Sequence, residues 1–288
     1  MKKLVPISML LVIFSLWLIG KVDAVTLVNE NFDSRTFSSA INVMTTYPSY
    51  CTGTGCAYGT ISHNSNGYSL QGSHDVSGYN MIVAFSQDPI TYFNAGCYIR
   101  YWVYFPSSYQ FAAECGSSYN NQKIMKFAGS SGDPDIEIIF ADCQGLLAGS
   151  TSEIGIVKLQ YTTESNGTFG LEGYNIASGH FIKKDQWNKI EAYIYIPSSG
   201  SRNSTIRLTV NDSTAFNLTN QPINKGSYSG TKQLVSVRMT GGGSCMPSSG
   251  HGTWYLDDLK IVYGEGDLTG KDGTSKPPSP PTGLKIVN

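Results

Sequence analysis

From Asp185 to Pro197 the chain reads Asp-Gln-Trp-Asn-Lys-Ile-Glu-Ala-Tyr-Ile-Tyr-Ile-Pro, and its side chains alternate in character with a period of two. Ile190, Ala192, Ile194 and Ile196 share one face of such a segment; Trp187, Lys189, Glu191, Tyr193 and Tyr195 share the other. A period of two is the mark of a strand with one face in a core. Residues 254–263 carry the same alternation near the far end, so both segments are expected to border one sandwich core. A face of two tyrosines, a lysine and a glutamate suits sugars, whose rings stack on aromatic planes and whose hydroxyls take hydrogen bonds.

Further strand-like runs fall at 26–32, 79–85, 97–105, 123–127, 135–141, 156–161, 205–211 and 233–240, each bounded by turn-rich spacers. No segment has convincing helical periodicity, and no internal repeat is present. So many strands with irregular spacing predict an all-β, two-sheet antiparallel jelly-roll sandwich rather than a barrel, which needs a more regular hairpin rhythm. With 31 glycines, 18 tyrosines and few charges, the chain is long enough for one large domain with a substantial core.

Residues 1–24 read as a secretory signal: Lys2 and Lys3, an apolar run from Leu4 to Gly20, then Val22-Asp-Ala24 with small residues for cleavage. The alternative is an uncleaved anchor, since the run stands at the lower limit for spanning a bilayer. The protein is therefore expected to be secreted, extracellular or periplasmic, with no membrane contact after cleavage. The mature chain carries 17 basic against 20 acidic residues, a balance that argues against a nucleic-acid partner. A monomer is expected.

Six cysteines in an exported chain predict three disulfides. Cys51 and Cys56 bracket Thr-Gly-Thr-Gly, whose glycines permit a tight turn, so they are the first expected pair. Cys115 and Cys143 flank one strand-like segment, which would leave Cys97 with Cys245, but the sequence alone allows 15 connectivities and leaves the pairing of these four open. No Cys-x-x-Cys or histidine cluster points to zinc. Beyond residue 263 the character changes to a flexible Gly-rich stretch and Pro277-Pro-Ser-Pro-Pro281, an extended spacer. Its last residues resemble the opening strand of a fibronectin type III module. Sequons stand at Asn166, Asn203, Asn211 and Asn217, marking polar turns.

Three phrases carry a family resemblance: Asn29-Glu-Asn-Phe-Asp33, Trp187-Asn-Lys-Ile-Glu-Ala-Tyr-Ile-Tyr195 and Trp254-Tyr-Leu-Asp-Asp-Leu-Lys-Ile261. Their order and spacing over residues 25–263 resemble concanavalin A-like lectin/glucanase jelly rolls, nearest to secreted polysaccharide lyase-like proteins. The resemblance implies two curved antiparallel sheets with a concave sugar-binding groove and polysaccharide as partner. It also implies a structural calcium where first and last strands meet, with Glu30, Asn31, Asp257 and Asp258 as oxygen donors. Fold alone does not fix activity.

Cys97-Tyr-Ile-Arg-Tyr-Trp-Val-Tyr-Phe105 places Tyr98, Arg100, Trp102 and Tyr104 on one face and Ile99, Tyr101, Val103 and Phe105 on the other. The second set reads as core. The first either lines a groove, with rings stacking on sugars and Arg100 pairing a uronate carboxylate in bidentate fashion, or is a structural face covered by a loop. Elimination in a uronate polymer needs a group that neutralises the carboxylate, a base and an acid. Arg100, Lys158, Gln160 and Arg238 are candidates for the first role, and Tyr193, Tyr195 and His180 for proton transfer. His180, in Ser178-Gly-His-Phe181, is read as a turn residue or a base; His63 and His74 have no evident partners. The chain departs from the alginate lyase pattern, having no Arg-x-Glu-x-Arg, Gln-Ile-His or Tyr-x-Lys-x-Gly-x-Tyr run.

Asp133, Asp135 and Glu137 invite comparison with the alternating carboxylates of laminarinases. Positions four apart on a strand are about 13 Å apart by rise, however, and retaining hydrolysis needs carboxyls roughly 5 Å apart. Asp133 is short and precedes Pro134, which removes a ladder donor, so a solvated strand start is the expectation. Three functions follow: a polysaccharide-binding protein, a lyase acting by β-elimination, and a non-catalytic adhesion module.

Overall fold

The structure is a computed structural model that describes residues 25–37, 41–46, 49–51, 56–63, 67–74, 81–85, 96–109, 122–128, 135–141, 153–165, 168–195, 204–221, 235–239 and 252–263, with side chains in 26–37, 56–63, 67–72, 96–109, 182–195, 204–221 and 252–262. The expected signal, the tail, Cys115, Cys143, Cys245, His251, Asn166 and Asn203 lie outside these residues.

The described residues form sixteen strands and no helix. They are β1 (Val25–Glu30), β2 (Ile41–Thr46), β3 (Ser49–Cys51), β4 (Tyr58–Gly59), β5 (Ser69–His74), β6 (Met81–Phe85), β7 (Cys97–Tyr104) and β8 (Gln122–Ala128). The second half supplies β9 (Asp135–Ala141), β10 (Glu153–Ser165), β11 (Thr168–Lys183), β12 (Trp187–Tyr195), β13 (Ser204–Val210), β14 (Ser213–Gln221), β15 (Val235–Met239) and β16 (Gly252–Tyr263). Sheet A runs β14-β13-β12-β7-β16-β5-β4, with β1 also on β16; sheet B runs β11-β10-β9-β8-β15-β6-β2-β3. Every pairing is antiparallel, and the two eight-stranded sheets form the expected all-β sandwich.

The alternation in sequence is the alternation in space. Ile99, Tyr101, Val103 and Phe105 join Ile190, Ala192 and Ile194 in the core, with Ile206 and Leu208 of β13 and Leu256, Leu259 and Ile261 of β16. Each is nearly or fully buried, and a fully buried aliphatic side chain of this size contributes about 1.5–3 kcal/mol. Trp254, fully buried, packs where Gly72 of the paired strand passes: a Cβ on Gly72 would lie 2.5 Å from the indole.

β16 serves two partners in turn. Its first half pairs with β5, from Gly252↔His74 to Leu256↔Leu70, and its second half with β1, from Glu30↔Leu259 to Val25↔Tyr263. First and last strands therefore meet. At the changeover the register against β7 slips between Asp257 and Lys260, and Asp258 takes a φ of 48°. This β-bulge accommodates the Asp-Asp step that breaks the alternation, so Leu259 and Ile261 still reach the core.

Cys97 is a free thiol, 2% exposed at the start of β7, and burial pushes its pKa up to about 12. The expected Cys97–Cys245 bridge is thereby corrected: the sulfur is committed to the core. Cys56 is disulfide-bonded, while the side chain of Cys51 lies outside the described residues. His180 is another correction, since it lies inside the long strand β11 and not in a turn.

Candidate functional site

The polar face of sheet A is organised in cross-strand rows. Trp187, Tyr104 and Tyr255 form one; Lys189, Trp102 and Asp257 the next; Glu191, Arg100 and Lys260 a third; Asn217, Arg207, Tyr193 and Tyr98 a fourth. Tyr98, Arg100, Trp102 and Tyr104 thus share a face with Tyr193 and Tyr195.

Along that face the first two rows are buried on β7 and β12, while Tyr193, Tyr195, Arg207 and Asn217 of the far rows are partly or fully exposed. Over the first two rows, residues 61–63, which follow β4, lie as a lid. His63 stacks on Trp102, with centroids 4.0 Å apart, and meets Trp187 edge-on at 5.9 Å. Its Nδ1 binds the Asp258 carboxylate, and its backbone N–H donates to Asp257 Oδ2 at 2.8 Å. The Ser62 hydroxyl donates to the same oxygen at 3.2 Å, and the Asp258 N–H donates to Asp257 Oδ1 at 2.8 Å. Ile61 packs on the aromatic cluster of Trp102, Tyr104 and Trp187. Trp102 and Tyr104 are 9% and 1% exposed, so the rings expected to stack on sugars are buried under the lid. Tyr98, in the fourth row beside Tyr193, is 7% exposed and donates its hydroxyl to Glu191. His63, for which the sequence suggests no partner, is the centre of this closure.

Burial dictates the electrostatics here. It pushes Asp257 up to about 7; its hydrogen bonds from His63, Asp258 and Ser62 oppose that rise and the neighbouring Asp258 charge adds to it. Burial also raises Tyr104 to about 12, helped by the Asp185 carboxylate. Burial alone would lower Lys189, but hydrogen bonds and charge from Asp212 and Glu191 overturn it and hold the ammonium above its ordinary range. Asp212 reaches Lys189 through the hairpin turn Asn211–Asp212, whose φ values of 49° and 65° suit these two residue types. That turn is docked by Asn211, which accepts from Lys189 N–H and donates to Asn188 Oδ1.

The four expected calcium donors stand at the end of β1, just beyond it and in β16, but are employed separately. Asn31 bonds Asp33, Asp257 is fully buried under Ser62 and His63, and Asp258 holds His63. Glu30 pairs in register with Leu259. Among the described residues no group of three or more His, Cys, Asp or Glu side chains is placed to share a metal ion.

Lys158, Gln160 and Arg238 stand on the other sheet, away from Arg100, Tyr193 and Tyr195. The register of sheet B lines up Tyr174, Gln160, Glu137, Lys126, Ser236, Ala84 and Asn42 across seven strands. Two residues along, Ile176, Lys158, Ile139 and Lys123 form the neighbouring row. Arg238, two residues from Ser236, is paired with Ile82. The expected site residues therefore divide into two groups, one on each sheet. Lys126 and Tyr174 join the second group only through strand register; the alternation of Lys126 with Phe127 and Met125 is the sequence signal for the first of them.

No family model and no curated protein sequence matches the chain. Solved structures do resemble it. The alginate lyase vAL-1 from Chlorella virus aligns with a TM-score of 0.52 at 11% identity, over 83% of this chain and 100% of that one. The marine PL-14 alginate lyase from Aplysia kurodai aligns with a TM-score of 0.54 at 11% identity, over 83% of this chain and 99% of that one. The chain thus shares the β-sandwich fold of these lyases, and at such identities the likeness speaks for fold alone.

Proposed function

We propose that the protein is a secreted polysaccharide-binding sandwich that takes a uronate-containing polymer along the polar rows of sheet B. One observation carries this reading: among the described residues the register gathers Lys123, Lys126, Lys158 and Arg238 on the same alternate positions of adjacent strands, with Asp135, Glu137 and, further along β10, Glu164 among them. The intervening positions, Ile136, Ile138, Phe140, Val157 and Leu159, carry the hydrocarbon that a sandwich core requires, so the alternation in sequence assigns the charged rows to the opposite face of the sheet. From Tyr174 to Ser236 the row crosses four strand spacings, about 20 Å, long enough for a stretch of polymer rather than a single sugar. Two solved alginate lyases with the same sandwich add support to a polyuronate as the ligand.

β-Elimination is the second reading, favoured by the register of Tyr174 with Gln160 beside Lys158. In that chemistry Lys158, Gln160 or Lys126 would offset the uronate carboxylate and so acidify the adjacent C–H. Tyr174 would exchange the proton as that bond breaks, a carbon–carbon double bond forms, and the glycosidic oxygen leaves with a proton. Tyr193 and Tyr195 stand with Arg100 on the other sheet and take no part in this reading. Incubation with a panel of uronate polymers, read by the ultraviolet absorbance of unsaturated ends, separates the two readings: a rise lost in Tyr174→Phe supports the lyase. Binding without any rise leaves the polysaccharide-binding protein. Unchanged polymer binding by the double variant Lys126→Ala/Lys158→Ala would sink the sheet B site altogether.

A further inference from the structure

The open end of sheet A carries an arrangement the sheet B reading does not use. β12, β13 and β14 bring Tyr193, Arg207 and Asn217 side by side. Arg207 is exposed, its guanidinium carbon 5.7 Å from the centre of the Tyr193 ring, and its Nε donates to Asn217 Oδ1 at 3.1 Å. These two contacts fix the plane of the guanidinium while its two terminal nitrogens have no partner among the described residues. Tyr193 is itself braced: Gly96, at φ 83°, lies so close that a Cβ there would sit 2.5 Å from the phenol oxygen. The carboxylates on this face are already engaged, Glu191 by Tyr98 and Lys189, Asp212 by Lys189. Arg207 is therefore a pre-oriented fork without a carboxylate of the protein's own, and holding an arginine this way reduces the entropy lost when it binds one. Tyr195, partly exposed and two residues along β12 from Tyr193, offers a ring beside it.

We propose that Arg207, held by Tyr193 and Asn217, is a second carbohydrate-binding surface, taking the carboxylate of an acidic sugar with the sugar ring beside Tyr195. The ligand class rests on the polyuronate reading above; the site does not. A chain with acceptors on both sheets would bind a long polymer at two places, raising its residence through effective concentration.

The test uses the full chain with Lys126→Ala/Lys158→Ala as the background and affinity electrophoresis in gels containing alginate or a neutral glucan. Retention by alginate and not by glucan is expected in the background protein. Arg207→Ala should weaken it about tenfold, the size of one lost charge-assisted fork. Arg207→Lys should recover little of it, because a point charge lacks the fork, and Asn217→Ala should fall between. Melting temperatures confirm that the variants are folded. Full retention in Arg207→Ala, equal retention in Arg207→Lys, or no retention at all in the background protein would each overturn the proposal. The last outcome leaves the sheet B site standing. Retention equal in wild type and background but lost in Arg207→Ala would uphold this surface and remove the other.

Discussion

The two ends of the polar face of sheet A are built from the same kinds of residue and have opposite fates. At one end Trp102, Trp187 and Tyr104 are buried against Ile61 and His63, and Lys189 is buried beside Trp102. At the other, Tyr193, Arg207 and Asn217 lie partly or fully in solvent. Aromatic and charged residues alternate with the same period along β7 and β12 at both ends, so strand chemistry does not set the difference. A lid from another part of the chain does, clamped by His63 and Ser62 to the Asp257–Asp258 bulge of the last strand. A tyrosine or tryptophan on a polar strand face is thus a ligand platform or a second small core according to what lies over it, and here the same sheet provides both cases.

Truncating an aromatic residue is the strongest way to test that contrast. Trp187→Ala removes a ring that packs against Tyr104 and His63 at the covered end, and should cost about 3–5 kcal/mol in chemical denaturation. Tyr193→Ala at the open end should cost under half as much. Equal losses would mean that the open end is packed as tightly as the covered one.

The lid should also carry a pH signature. Asp257 titrates near 7 in the folded chain, above the ordinary carboxylate value, because burial disfavours its charge. A raised folded pKa means that its contribution to stability is full below about pH 4 and is lost as pH rises through about 7, a change of a few kcal/mol at most. Asp257→Asn should flatten this part of the stability profile between pH 4 and 8, whatever its offset, when both proteins are melted in chelator. An unchanged slope would show that Asp257 is ionised throughout. Smaller again is the effect at Cys97. Its thiol should resist a disulfide reagent at pH 8 in the native chain and react only on unfolding, since burial holds it protonated. Prompt reaction in native buffer would refute its place in the core.

Strands rich in β-branched and aromatic residues are legible in the residue order itself: 135–141 coincides with β9, and 97–105 runs one residue past the end of β7. Other strands lack that signal. β11 runs Thr-Phe-Gly-Leu-Glu-Gly-Tyr-Asn and onward through Ser-Gly-His, and β14 is rich in Thr and Asn; both are terminal strands of their sheets, where one side has no strand neighbour to satisfy. At the site, spacing reveals which residues share a face, because a period of two fixes it. It does not reveal which end is covered, since Ser62 and His63 meet partners 194 and 195 residues away along the chain. Nor does it reveal sheet membership, which separates Lys158, Gln160 and Arg238 from Arg100 and Tyr193 although all five sit on strands.

The smallest expected effect is the one that defines the open end. Arg207→Ala deletes an exposed cation above Tyr193 and one hydrogen bond to Asn217. Contacts of this kind in solvent are worth about 0.5–1 kcal/mol at most, since water replaces them when they are lost. Lys189→Ala, one row into the covered end, breaks a buried ammonium from Glu191 and Asp212 and leaves the Glu191 carboxylate largely buried without its cation, so it should cost at least twice as much. The ratio of the two midpoint shifts in urea measures where the lid's influence stops. If Arg207→Ala proves as damaging as Lys189→Ala, its guanidinium is a structural member of the sheet, and a group spent on holding the fold is a poor candidate for holding a ligand.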